Sequence, residues 1–288
     1  MNRQRAGLWV LFLSGLWMTA PSAGPAPTSM STGRRLLGPI AQVAAAWQWV
    51  RVRVALDAGR SGLAMARAEI ALELDPQATG GWKFLASTLA FDRASPDREP
   101  DPDLREEWTR VALDLLRRGE QSAAHPAELA LQRGIILVHA GDSEGRIPWP
   151  GGAAGAWSEA QQAFLRAATL DPTSTEPWAH QAANRCLRLG SPEIAPEFGQ
   201  RKQALEQALA FLDRGLELVH SPAALHFQRG MLLAFIAESP DGERYSGGKN
   251  ALYTEAIDAF ARAEAENFPL ARVGKEGAQE ALAELHGR

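Results

Sequence analysis

The chain is poor in the residues that staple or sheet a protein together. Only one of its 288 residues is cysteine, Cys186, and only two are tyrosine. A lone cysteine excludes an intramolecular disulfide, and Cys186 is expected as a small buried hydrophobe. Alternating runs of Val, Ile and Thr are nearly absent, which removes the usual signal of a half-buried strand. Charge of one sign is also scarce: 30 Lys and Arg are interspersed with 34 Asp and Glu, for a net charge of -4. The basic stripe that a nucleic-acid binder carries is therefore missing.

What is abundant is alanine and leucine, a composition that suits helices pressed close together, and the class expected is all-α. The length exceeds what one compact core usually holds, which points to an elongated array or two domains. Arg3 and Arg5 precede an apolar stretch from Ala6 to Ala20, followed by the small-residue and proline run Pro21 to Pro27. That is the layout of a secretory signal, and it is shorter than the ~20 residues a membrane span needs. Residues 1–22 are read as a signal peptide or signal anchor, 23–35 as a Pro/Ser/Gly linker and 36–288 as the body. The positive flank stays inside, so the body is exported, periplasmic or otherwise extracytoplasmic. Attachment to the membrane would run through residues 6–20.

An internal repeat emerges on adding 96 to the numbering. Leu74-Asp75-Pro76 recurs as Leu170-Asp171-Pro172, Trp82 as Trp178, and Gln132-Arg133-Gly134 as Gln228-Arg229-Gly230. Gly151-Gly152 recurs as Gly247-Gly248, and Ala160, Phe164 and Ala167 as Ala256, Phe260 and Ala263. The register runs without a gap from residue 62 to residue 263, which implies a duplicated block. Pro, Gly and Asp clusters cut each block into four apolar-periodic segments, hence two helical hairpins. Helices are expected near 39–58, 62–74, 81–93, 103–118, 126–140, 154–170, 176–189, 200–218, 222–237, 250–265 and 269–286. Asp103 with Glu106 reads as a capping box, Pro177 and Pro222 as first helical residues, and Gly119, Gly141 and Gly190 as helix ends.

The hairpins resemble tetratricopeptide repeats. Ala160, Phe164, Ala167 and Pro172 fit that family's second helix; Trp82, Leu85, Ala86 and Leu89 fit its first. From residue 36 to 119, Leu36-Leu37-Gly38, Trp49-Val50-Arg51, Gly59-Arg60, Trp108 and Leu115-Leu116-Arg117 look like the front of a group of bacterial membrane-attached members, a group with no established activity. The resemblance implies a helical-hairpin solenoid of about 11 helices. It also implies a concave face, formed by the first helices, that takes an extended or helical peptide. The face-lining candidates are Lys83, Ser87, Leu131, Ile135, Ala179, Ala183, Phe227 and Met231. Lys83 lacks the asparagine partner of the family's carboxylate clamp, so an apolar or amphipathic segment of another envelope protein is the expected ligand.

Catalytic signals are thin. Gly141-Asp142-Ser143-Glu144-Gly145 has the spelling of a nucleophile elbow, but that device needs a strand before it and a helix after it. Here a helix precedes it and a loop follows. The six histidines show no metal-ligand spacing, and Gly247-Gly248-Lys249 lacks the rest of a phosphate loop. No catalytic, cofactor-binding or metal-binding residue is assigned. Two loop aromatics, Trp149 and Tyr245, have two courses open: to touch a partner from the loop tips, or to fold back over neighbouring hairpins. The expected function is a non-catalytic protein-interaction scaffold. The alternatives are a self-assembling structural repeat protein or an envelope hydrolase on a helical repeat.

Overall fold

A computed structural model describes residue 38 and residues 40–287. The proposed signal segment, the linker and the apolar stretch 6–20 lie outside the described residues. Among the described residues there are eleven α-helices and no strand. They are α1 (Ile40–Asp57), α2 (Ser61–Leu74), α3 (Thr79–Ser87), α4 (Pro102–Gly119), α5 (Pro126–Asp142), α6 (Gly152–Leu170), α7 (Thr175–Ala183), α8 (Phe198–Leu218), α9 (Ala223–Glu238), α10 (Gly248–Ala265) and α11 (Ala271–His286). The all-α expectation is met, and every helix falls within two residues of its expected bounds once π-helical extensions of α3 (Thr88–Arg93) and α7 (Asn184–Arg188) are included. Among the described residues no helix is long and apolar enough to cross a membrane.

The caps differ in detail from expectation. The N-cap of α4 is Asp101, whose side chain accepts from Asp103 N at 3.0 Å, with Pro102 as first helical residue. The proline cannot donate a backbone N–H, so the helix starts on it and the capping role moves two residues upstream of Asp103. A reciprocal capping box is present instead on α8, between Glu197 and Gln200. Pro177 sits at the third residue of α7, and Pro222 is the N-cap of α9.

Packing follows from the small residues. Ala41 and Ala45 of α1 and Ala64, Ala68 and Ala71 of α2 are buried, so the two backbones approach closely. In α5 and α9 the close approach is at glycine: Gly134 lies under the Phe164 ring and Gly230 under the Phe260 ring. Gly119 lies against Trp82 and Leu129, and Gly215 against Trp178 and Leu225. Trp82 Nε1 donates to Pro76 O at 2.9 Å, and Trp178 Nε1 to Pro172 O at 2.9 Å. Each of these pairs of contacts is 96 positions apart. So are the sharp turns into α6 and α10, where Gly151, Gly152, Gly247 and Gly248 all take positive φ, a region closed to most side chains.

The core forms two apolar clusters. One runs from Val52 to Ala167 and the other from Ala168 to Ala278, so they divide between adjacent residues of α6. Phe164 and Phe260 are among the largest fully buried side chains and anchor one cluster each.

Candidate functional site

The expected binding residues all stand on α3, α5, α7 and α9, and these helices are neighbours in pairs, α3 beside α5 and α7 beside α9. Polar bridges join them. Lys83 on α3 donates to Glu128 on α5 at 2.8 Å, and Gln132 Nε2 donates to Ser87 Oγ at 3.1 Å. Farther along, the Phe91 and His139 rings meet edge-on at 4.9 Å. Arg188, at the end of the π-helical turn, grips Asp142 at the end of α5 through three hydrogen bonds of 2.8, 2.9 and 3.2 Å. Burial raises the Asp142 carboxyl, but the hydrogen bonds from Arg188 and Trp157 outweigh it and hold the group below its ordinary 3.8.

This arrangement sorts the candidates. Lys83 and Ser87 are half-buried and engaged with α5, so they tie helix to helix. Leu131 is buried in the first cluster and leaves the face, because its side chain turns towards the core. Ile135, Ala179 and Phe227 are partly buried and pack against the clusters; Phe227 is stacked on Phe268 with centroids 4.8 Å apart. Ala183 is half-buried. Met231 alone of the set is exposed, at 46%, and one turn later Phe235, which sequence reasoning did not select, is 52% exposed. Leu187 on the α7 extension is exposed too. Phe235 and Leu187 were legible as apolar residues at helical spacing, but not as outward-facing ones.

Beside Phe235 and Leu187 lies a cleft of about 500 Å³. Cys186, Leu187, Phe235, Ile236 and Tyr245 give it an apolar wall, with Glu193 and Glu238 also lining it. At its base Arg201 pairs with Asp241 at 2.5 Å and donates to Ala195 O at 2.9 Å. The hydrogen bond from Arg201 is the main reason that the Asp241 carboxyl sits below 3.8. Burial pushes the Cys186 thiol and the Tyr245 hydroxyl each up to about 12, so neither is a nucleophile at neutral pH. The positions 96 residues earlier carry larger aromatic side chains. There Trp108 and Trp149 stand where the cleft region has Ala204 and Tyr245, and Trp149 is buried.

The two loop aromatics take the second of the courses open to them. Trp149 is packed in the first cluster, with Nε1 donating to Glu159 at 3.1 Å and the Arg110 guanidinium 5.1 Å above its ring. Tyr245 is packed in the second, edge-on to Phe198 at 5.2 Å. Neither is an exposed tip.

The serine of the glycine-x-serine-x-glycine spelling closes a helix end. Ser143 Oγ donates to Ala140 O at 2.6 Å and accepts from Ile147 N at 3.1 Å. Ser239, 96 residues on, donates to Ile236 O at 2.7 Å. Among the described residues no group of three or more His, Cys, Asp or Glu is placed to hold a metal ion. One buried polar cluster was not legible in the sequence: Asn184 Nδ2 donates to Trp157 O at 2.8 Å and to Gln161 Oε1 at 3.1 Å, beside the fully buried Gln181. It joins α6 to α7, where the earlier block has Met65, Leu85 and Thr88.

Comparison of the chain with protein-family models, with curated proteins and with solved structures finds no significant match.

Proposed function

We propose that the body is a tetratricopeptide-like helical-hairpin solenoid containing two copies of a 96-residue block, and that it is a non-catalytic scaffold binding an apolar or amphipathic segment of another envelope protein. The contacts at Trp82 and Trp178, Gly134 and Gly230, and Arg105 and Arg201 support the duplicated-block reading. Export through residues 1–22, with attachment through the apolar stretch 6–20, belongs to the same proposal.

The observation that carries the binding site is the apolar surface of Met231, Phe235 and Leu187 opening on the cleft walled by Cys186, Ile236 and Tyr245. Exposed large apolar residues gathered beside a concave surface mark a place where a partner gains by excluding water. The site lies on the second block, where the aromatic filling is smaller. Its carboxylates Glu193 and Glu238 favour a segment with basic residues beside its apolar anchor.

The test is in-cell crosslinking of the tagged full-length chain, with mass spectrometry of the adducts. A recurrent partner adduct lost in Met231→Glu and Phe235→Glu, both on exposed positions that leave the fold intact, supports the reading. Adducts that survive both substitutions, or self-adducts alone, contradict it.

A further inference from the structure

The charge is less evenly spread than the whole-chain count suggests. Between residues 34 and 67 stand six arginines (Arg34, Arg35, Arg51, Arg53, Arg60 and Arg67) and one acid, Asp57, in a chain whose net charge is -4. No Asp or Glu at all precedes Asp57. The helix in this region, α1, is apolar on two faces. Ala41, Ala45, Val52 and Ala55 are buried towards α2 and the first core cluster. Ile40, Val43, Trp47, Val50 and Val54 are between 36 and 63% exposed. Their spacing of three and four residues places all five within an arc of roughly 80° at about 100° per residue, on the side opposite the buried face. Arg51 borders the stripe on one side and Arg53 on the other, the latter in an exposed ion pair with Asp57 at 3.3 Å that solvent and competing anions readily exchange.

The rest of the chain does not hide this face among the described residues, and the charges decide what fits it. Two copies of α1 laid along the stripe, in either direction, would bring four arginines and only the two Asp57 carboxylates to one seam, and its net positive charge disfavours the pairing. The chain's own residues 1–37 contain no acid to meet them either. A surface that takes an apolar stripe with an exposed tryptophan at its centre, and anions on both flanks, is that of an anionic bilayer. There an amphipathic helix lies in the plane of the interface with its apolar face about 5–10 Å deep, while tryptophan and arginine settle at the headgroups. The opposite end of the array differs in charge: α11 exposes Arg272, Glu276, Gln279, Glu280 and Glu284, three of them acidic, around a single exposed large apolar residue, Val273.

We infer that α1 is an interfacial helix that seats the folded body on an anionic lipid surface through Ile40, Val43, Trp47, Val50 and Val54, with Arg51 and Arg53 at the headgroups. This goes beyond attachment by residues 6–20, since the contact is made by a helix of the folded body and fixes how that body is presented. It also stands apart from the cleft at Phe235.

The test uses the full-length chain with Val50→Cys carrying an environment-sensitive fluorophore, and Gln279→Cys on α11 as the control. Cys186 is buried and leaves the label on the introduced thiol. On vesicles of about three parts phosphatidylcholine to one part phosphatidylglycerol, the label at 50 shifts to the blue and loses aqueous iodide quenching roughly fivefold, while that at 279 does neither. Arg51→Gln with Arg53→Gln weakens the anionic-vesicle response about 10- to 30-fold. Protein that sediments with vesicles while the label at 50 stays quenchable is held by residues 6–20 alone, and overturns the inference without touching the proposed attachment. Shielding without vesicles also overturns it: concentration-independent shielding puts the chain's own N-terminal segment on the stripe, and shielding that grows with protein concentration puts a second copy there.

Discussion

Gly134 of α5 lies so close under the Phe164 ring of α6 that a β-carbon built on the glycine would stand 2.2 Å from the ring. The same relationship holds between Gly230 and Phe260, at 2.7 Å. Gly134→Ala is helix-favouring by up to about 1 kcal/mol, but the ring is fully buried and has nowhere to go. Overpacking of this kind costs about 1–3 kcal/mol, so a net loss is expected in denaturant unfolding. Gly134→Ala combined with Phe164→Leu should recover part of that loss. A Gly134→Ala protein as stable as the parent would contradict the close approach.

Arg105 is a buried arginine whose hydrogen bonds go to carbonyl oxygens. It donates to Glu99 O at 2.8 Å, to Pro100 O at 2.9 Å and to Arg146 O at 2.7 Å, tying the loop before α4 to the loop after α5. Arg201 repeats the role on Ala195 and Pro196, with Asp241 as an added partner. Arg105→Leu strips three carbonyls of their donor; the one on Glu99 is buried, where the loss costs about 1–3 kcal/mol when nothing replaces it, and the part-buried two on Pro100 and Arg146 cost less because water can reach them. The expected result is a large fall in stability, with early hydrogen exchange at residues 95–101 and 143–147. Unchanged exchange there would contradict the clamp.

The helix boundaries were legible because proline, glycine and aspartate break the apolar periodicity wherever a turn must form. Arg105 and Arg201 stand 96 residues apart, but their shared role is not written in the sequence, since a side chain that donates to backbone carbonyls has no partner residue type to search for. Trp149 and Tyr245 show a further limit: whether a loop aromatic points in or out depends on the path that Gly151 and Gly247 permit at positive φ, a path no local composition encodes. The π-helical turns ending α3 and α7 were invisible for a similar reason. A shift to i→i+5 hydrogen bonding changes no side-chain pattern within the turn. In the candidate site, Met231 was found by register. Phe235 was missed because outward and inward apolar positions on α9 differ only by the neighbours that later cover them.

Stability should fall as the solution turns acid. Burial lowers the pKa values of His139, His180 and His226 from 6.5. For a group depressed in this way the unfolded chain takes up the proton first, so the stabilisation is complete above 6.5 and is lost as pH falls below it. Asp142 and Asp241, held below 3.8, add stability that is present above that value and lost as pH falls through their folded values. The Tm followed by circular dichroism should therefore drop between about pH 7 and pH 5 and again below about pH 4. A Tm that is flat or rising on acidification through the first window contradicts the burial of the three imidazoles.

Cys186 should be inert. With its thiol raised to about 12, only ~1 in 10⁴ molecules carries the thiolate at pH 8. Iodoacetamide under native conditions is expected to leave it unmodified, with full labelling after denaturation. Phe235→Ala, which opens the cleft beside it, should speed native labelling. Rapid native labelling of the parent protein would contradict the burial of this wall.

The most direct measurement of the scaffold reading is site-specific photocrosslinking in cells, with a photoreactive amino acid at Met231 and, separately, at Gln279 on α11. The account predicts a discrete heterologous adduct from position 231 that is absent from position 279 and is lost when Phe235→Glu is added. The same adducts from both positions, or none but self-adducts from 231, would contradict a partner seated on α9 beside the cleft.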